Sequence, residues 1–392
     1  MQKIYWHRKF LSRYIILFLS IFMIVSLYLV ENNMVMETTG YTQKKEAAQI
    51  ADNGFRLTQD FFISKGYLCR NTGDISCTGL IGLSMTDTTT DSGDLYAKRS
   101  SVNPNLAAIF VMWLNSLNLQ KGDTVALQET GSYPALDIAM LSAIKSLELK
   151  PLIIFSAGSS QFGANRPEFT WPDMYKNLVN KKLFNYDVLG ITIGGSRDNG
   201  YGLNPSAIVD LHSAISRNGY KTINVPYKDA TNTSVKKRMA MYKKAAGDSP
   251  IKAYINVGGN MASIGLKKNI VITTDSKGKE HKEVSNARTV RSFPSGVVSK
   301  LPPQYKTINS VAVQFLQQGV PVVNIRDINS SIIKRYGITY NPASVATPGK
   351  GPAFKQKKYN TTLAVILLLI DIALLTGAAI LSRKYLISYK TK

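Results

Sequence analysis

Two apolar runs, Tyr14 to Val30 and Leu363 to Leu381, bracket this chain and limit what it can become. Each is long enough to cross a hydrocarbon layer about 30 Å thick as a helix, where every backbone polar group must bond internally. Lys3, Arg8, Lys9 and Arg13 precede the first run, and no Lys or Arg follows until Lys44, so its N-terminal end is expected on the cytoplasmic side. A cleavable signal peptide competes with this reading. The run exceeds the usual apolar length of one, and Val30-Glu31-Asn32-Asn33 lacks the small residues of a cleavage site, which favours an anchor.

Basic residues flank the second run on both sides, Lys355, Lys357 and Lys358 before it and Arg383 and Lys384 after it, so charge does not orient it. Parity does: both tails are expected in the cytoplasm, with everything between them outside it at the cell membrane. Asp371 interrupts this run, and a carboxylate near mid-membrane costs roughly 2.5 to 3.5 kcal/mol. Either protonation or snorkelling relieves that cost, or Asp371 contacts another membrane subunit, the reading preferred here. Ala373 and Gly377 form a small-xxx-small pair that permits close helix approach.

The expected organisation is a tail and membrane helix in 1–30, a helical membrane-proximal region with a polar loop in 31–120, an α/β domain in 121–345, and a basic linker, second helix and tail in 346–392. The four Lys and Arg in residues 1–30 and the four after residue 358 leave 40 of the 48 between them, against 24 of the 25 Asp and Glu. Such an excess concentrates anions near the surface, whether nucleic acid, lipid headgroups or an acidic polymer; the plainer alternative is solubility. The only two cysteines, Cys69 and Cys77, lie in a loop of turn-forming residues. Outside the cytoplasm they read as a disulfide, with two free thiols as the alternative. No neighbouring His or Cys completes a metal site, and none is expected.

Residues 42–65 carry apolar side chains at helical spacing, and a second helix is expected from Asn103-Pro104. Residues 68–100 read as a polar loop. From Gly122 short apolar runs alternate with amphipathic segments: Thr124 to Leu127, Leu152 to Phe155, Val188 to Ile193, Thr222 to Val225, Ala253 to Val257 and Val320 to Ile325. The alternation predicts an α/β fold, a mostly parallel Rossmann-like sheet in an extracytoplasmic domain, flanked by the two transmembrane helices. Residues 266–306 read as a basic insertion before the last unit.

In such sheets ligands bind beyond the strand C-termini. Those positions here hold Glu129-Thr-Gly-Ser132, Ser156-Ala-Gly-Ser159 running on to Asn165, Gly194-Gly-Ser196, and Gly258-Gly-Asn-Met-Ala-Ser263. Ser132, Ser159, Asn165, Gly194, Gly195, Gly258, Gly259, Asn260 and Ser263 are therefore candidate ligand-binding residues, although tight strand-to-helix turns also favour these residue types. Glu129 and Asp198 are candidate acid and base, or else capping and ion-pair carboxylates. Ser132, Ser159, Ser196 and Ser263 are nucleophiles only beside a base other than histidine, since the three histidines lie in a tail (His7), mid-helix (His212) and in the insertion (His281). No Gly-x4-Gly-Lys-Ser/Thr loop is present, so ATP-driven ligation and a nucleotide cofactor are not expected.

Glu129-Thr-Gly-Ser-Tyr-Pro-Ala-Leu136, Gly163-Ala-Asn165, Phe169-Thr-Trp-Pro-Asp-Met174, Gly194 to Leu203 and Ala253 to Ser263, in that order, resemble the bacterial poly-gamma-glutamate system protein family over about residues 95–350. The resemblance implies a membrane component of the apparatus that makes or exports poly-gamma-glutamate, acting beside an ATP-dependent ligase and its small membrane subunit. Nucleic acid is not among the implied partners. The family carries no assigned reaction, so no catalytic residue transfers. The expectation is a non-catalytic assembly or polymer-handling factor; the alternative is an extracytoplasmic enzyme that trims, releases or anchors the polymer.

Overall fold

Alternate residues along the central strands go to opposite sides, and this sorts the chain into two cores. Val125 and Leu127, Ile153 and Phe155, Ala253, Ile255 and Val257, and Val323 and Ile325 bury into one; Ala126, Ile154, Tyr254 and Val322 bury into the other. A sheet covered on both faces needs apolar residues at both phases, which is why these strands read as continuous apolar runs. The computed structural model describes residues 13–37, 39–69, 73–195, 197–265, 270–274, 280–284, 293–338, 346–354 and 356–388. Ser196, His7 and the basic side chains Lys267, Lys268, Lys277, Lys279, Arg288 and Arg291 lie outside these residues.

The chain divides into two units, residues 40–354 and residues 1–39 with 355–392. In the first, the central sheet comprises β1 (Thr124–Thr130), β2 (Lys150–Ser156), β3 (Val188–Thr192), β4 (Ile251–Val257), β5 (Gly296–Val298) and β6 (Val322–Ile325). Their spatial order is β5-β6-β4-β1-β2-β3, parallel except for the antiparallel pair β5 and β6. The chain winds outward from β1 through β2 and β3, then returns to the other side of β1 with β4, so the strand order reverses between β1 and β4.

Helices Tyr41–Ser64, Leu106–Asn115, Pro134–Ser146 and Trp171–Asn180 bury their apolar residues in the first core. The two helices assigned from sequence to a membrane-proximal region thus share a core with the sheet. Ala230–Ala246 and Val311–Gln317 cover the other face through Val235, Tyr242, Val313 and Phe315. Truncating a fully buried side chain such as Phe110 would cost about 3 to 5 kcal/mol.

Three local expectations are corrected. Thr222 to Val225 makes no strand, only an isolated parallel bridge from Thr222 to Ile191. The Asn224 carbonyl accepts from Lys237 Nζ instead, and that of Pro226, just past the run, from Asn199 Nδ2. The helix expected from Asn103-Pro104 begins at Leu106, because the Asn103 side chain accepts from Asn105 N and closes a preceding turn. The polar loop 68–100 contains a strand, Thr89–Asp91, paired in parallel with Ser159–Ser160, and a helix, Leu95–Ser101, capped by Asp94. Within it Cys69 and Cys77 form a disulfide. The insertion holds an antiparallel hairpin, Ile270–Thr274 with Glu280–Val284, and then β5.

In the second unit, helices Arg13–Asn32 and Thr361–Leu381 are long and apolar enough to cross a membrane. The first helix and the longer Thr361–Ser388 helix continue into strands Val35–Glu37 and Gln356–Lys358, which pair antiparallel. Asp371 accepts a hydrogen bond from Ser26 Oγ at 3.3 Å, so its carboxylate finds a partner inside this unit.

Candidate functional site

Right-handed crossovers in a parallel sheet bring the strand C-termini to one edge, and a reversal of strand order leaves a crevice there. Such a crevice of about 330 Å³ opens at this edge. Ser132 and Tyr133 follow β1, Ser160 follows β2, Gly195 follows β3, Gly259 and Asn260 follow β4, and Arg326 follows β6; the segment 90–94 walls it. A second hollow, about 370 Å³ beside Val311–Gln317, has Lys306 as its only charged lining group among the described residues.

Four of the nine candidate ligand residues line the crevice: Ser132, Gly195, Gly259 and Asn260. The others brace it. Asn165 is fully buried, bonding both backbone groups of Leu83, which ties down the loop leading to the crevice wall. Ser159 Oγ donates to Gly131 O, and Ser263 Oγ to Asn256 Oδ1. Gly258 takes φ +93°, where a Cβ would strike Thr130 Oγ1, so only glycine fits. Gly194 likewise turns the chain at φ +82°.

Neither candidate acid-base carboxylate faces the crevice; both Glu129 and Asp198 are fully buried. Asp198 accepts from Thr192 Oγ1, Asn260 Nδ2 and Arg238 Nη2, each at 2.7 Å, and from Ser234. Arg238, also fully buried, donates further to Gln128 Oε1 and Thr192 Oγ1. The pair thereby ties the ends of β1 and β3 to the helix Ala230–Ala246 and, through Asn260, to the crevice rim.

Glu129 points by alternation to the opposite face, toward the helix Pro134–Ser146. Among the described residues no well-aligned hydrogen bond reaches its carboxylate oxygens, or those of buried Asp137. Burial pushes Glu129 well above the usual carboxylate range, and the Trp171 indole offsets this only in part. Burial, then the proximity of Glu129, raises Asp137 in the same way.

The group with most chemical potential was not anticipated. Lys98, on Leu95–Ser101, is 2 % exposed. Its Nζ donates to Ser132 O, lies 2.8 Å from Ser160 Oγ and sits 3.8 Å from the centre of the Tyr133 ring. Burial pulls its ammonium down to about 7, against the opposing pull of Asp137, Asp91 and Asp94. A lysine so placed is neutral in part near neutrality and can accept a proton. Arg326 also lines the crevice: among the described residues its buried Nη1 has no hydrogen-bond partner, and its Nε lies beside Gly259.

Sequence reading passed over Lys98 because nothing in Leu-Tyr-Ala-Lys-Arg-Ser-Ser marks its fourth residue. Arg326 was within reach, since it follows the last apolar run as Ser132 follows the first. No protein-family model matches the chain, and no curated protein matches it.

Proposed function

We propose that this protein is a membrane-anchored component of a poly-gamma-glutamate synthesis or export system, and that its strand-end crevice handles the polymer. The observation that carries this reading is the buried Nη1 of Arg326, without a hydrogen-bond partner among the described residues, in a polar crevice, where it is a ready partner for a carboxylate. The excess of basic residues between 31 and 358 would draw a polyanion toward it. The two apolar helices serve as anchors, both tails lie in the cytoplasm, and the Rossmann-like α/β unit lies outside. There it works beside the polymer ligase and its small membrane subunit. A disulfide between Cys69 and Cys77 suits that compartment.

Binding of poly-gamma-glutamate to the full-length protein in lipid nanodiscs tests this. Binding should weaken as salt rises, and Arg326→Gln should weaken it about tenfold or more, in line with loss of a charge-assisted bond. Absence of binding at low salt would remove the polymer from the proposal. A second reading, an enzyme that trims, releases or anchors the polymer, is favoured by the contact between Lys98 and Ser160.

A further inference from the structure

We propose that Ser160 is a nucleophile and Lys98 its general base, a serine-lysine pair that attacks an amide carbonyl held in the crevice. The geometry is that of an activated hydroxyl: Nζ and Oγ are 2.8 Å apart, the hydroxyl belongs to a crevice-lining residue, and the amine is sealed beneath it. The other contacts of Nζ leave one role for its lone pair. One N–H goes to Ser132 O and the Tyr133 ring covers another side, so in the neutral amine the lone pair meets the Ser160 hydroxyl proton.

Ser160 is also fixed from behind. Its backbone N donates to Ser132 Oγ, and it pairs with Asp91 in the short parallel ladder. At Gly163, the turn returning from it, a Cβ would strike Ser159 Oγ and the carbonyls of Gly131 and Ser132, which keeps this loop pressed against the end of β1. Burial of an amine without a full ion pair is costly.

In the forward half-reaction Ser160 Oγ bonds to the carbonyl carbon while its proton passes to Nζ of Lys98. The C–N bond then breaks, Nζ returns that proton to the departing nitrogen, and the products are a free amine and an acyl ester on Ser160. In the second half Nζ takes a proton from water or from an acceptor amine, which attacks the ester, and returns it to Oγ. Water gives net hydrolysis; an amine gives transfer. That the amide is a γ-glutamyl bond, with neighbouring carboxylates taken by Arg326, rests on the polymer-handling reading.

The test uses full-length protein in nanodiscs and a fluorophosphonate probe, with the adduct mapped by mass spectrometry. One adduct on Ser160 is expected, forming about tenfold faster per pH unit up to about 7 and levelling above it. Burial sets this midpoint against the opposing pull of Asp137, Asp91 and Asp94, and the Tyr133 ring also faces Nζ. Ser160→Ala should abolish the adduct, Ser213→Ala at an exposed position away from the crevice should retain it, and Lys98→Met should slow it about 100-fold or more. No adduct on Ser160 between pH 6 and 9, or a rate indifferent to pH across 7, overturns the pair; the pH profile decides the matter even if Lys98→Met fails to fold.

Poly-gamma-glutamate added as competitor separates the two proposals. Labelling of Ser160 that the polymer neither slows nor survives shortened would keep the pair and remove the polymer as its substrate. Polymer binding without labelling would do the reverse.

Discussion

Two buried polar clusters sit at the carboxyl ends of the same strands and meet the cost of buried charge in opposite ways. On the side of Ala230–Ala246, Asp198 and Arg238 are both fully buried and hydrogen-bonded on all sides. On the side of Pro134–Ser146, the oxygens of Glu129 and Asp137 have no well-aligned hydrogen bond among the described residues, and Lys98 is held by one carbonyl, one hydroxyl and a ring. The first cluster is a rivet and the second a reservoir of protons. A fully satisfied pair has no capacity left for a substrate, whereas groups displaced from their ordinary pKa can exchange protons near neutrality.

The contrast breaks most sharply at Arg238. Arg238→Met strands the Asp198 carboxylate in the core, and denaturant unfolding should show a loss of about 3 to 5 kcal/mol. Combining it with Asp198→Leu should recover most of that loss, since the damage comes from the orphaned charge; an additive double variant would contradict the rivet.

Glu129→Gln should act in the opposite direction. The folded-state pKa of Glu129 is raised above its ordinary 4.5, so the folded protein holds a proton that the unfolded chain has released. The contribution of Glu129 to wild-type stability is therefore fully present below that pH and is lost as pH rises above it, by up to about 1.4 kcal/mol per pH unit. Asp137 adds a term of the same sign, while Lys98, lowered toward 7, makes stability rise with pH only above that point. As pH rises above 4.5, then, the glutamine variant should gain on the wild type in unfolding experiments, until Glu129 itself ionises in the fold. Parallel pH profiles would show that Glu129 is ionised in the fold.

The smallest effect is expected in the second unit. Asp371 has Ser26 as its hydrogen-bond partner, and Ser26→Ala should weaken association of the two apolar helices by about 0.6 kcal/mol, measurable by disulfide crosslinking between engineered cysteines. An unchanged crosslinking equilibrium would point Asp371 elsewhere.

Much of the architecture was legible in the sequence. Five apolar runs became strands of the central sheet, because parallel strands buried on both faces must be apolar at consecutive positions. Thr222 to Val225 looks the same on paper and fails as a strand, since the carbonyls of Asn224 and, just past the run, Pro226 found side-chain donors that no local pattern reveals. The crevice rim was legible as Gly, Ser and Asn after each strand, but which residues face the ligand was not. Ser159 and Ser160 are adjacent and chemically identical, yet one is bonded to Gly131 O and the other meets Lys98.

What the sequence determined by itself was periodic or cumulative: two membrane-length apolar helices, an alternating α/β core and a strong positive balance. These survive because each depends on many residues summed along the chain. Only tertiary structure decided the chemistry, since Lys98 meets Ser160 across 62 positions and Arg238 meets Gln128 across 110. Whether a buried charge becomes a rivet or a proton donor depends on which partners the fold brings within 3 Å, and that distance is not written in any local stretch of the chain.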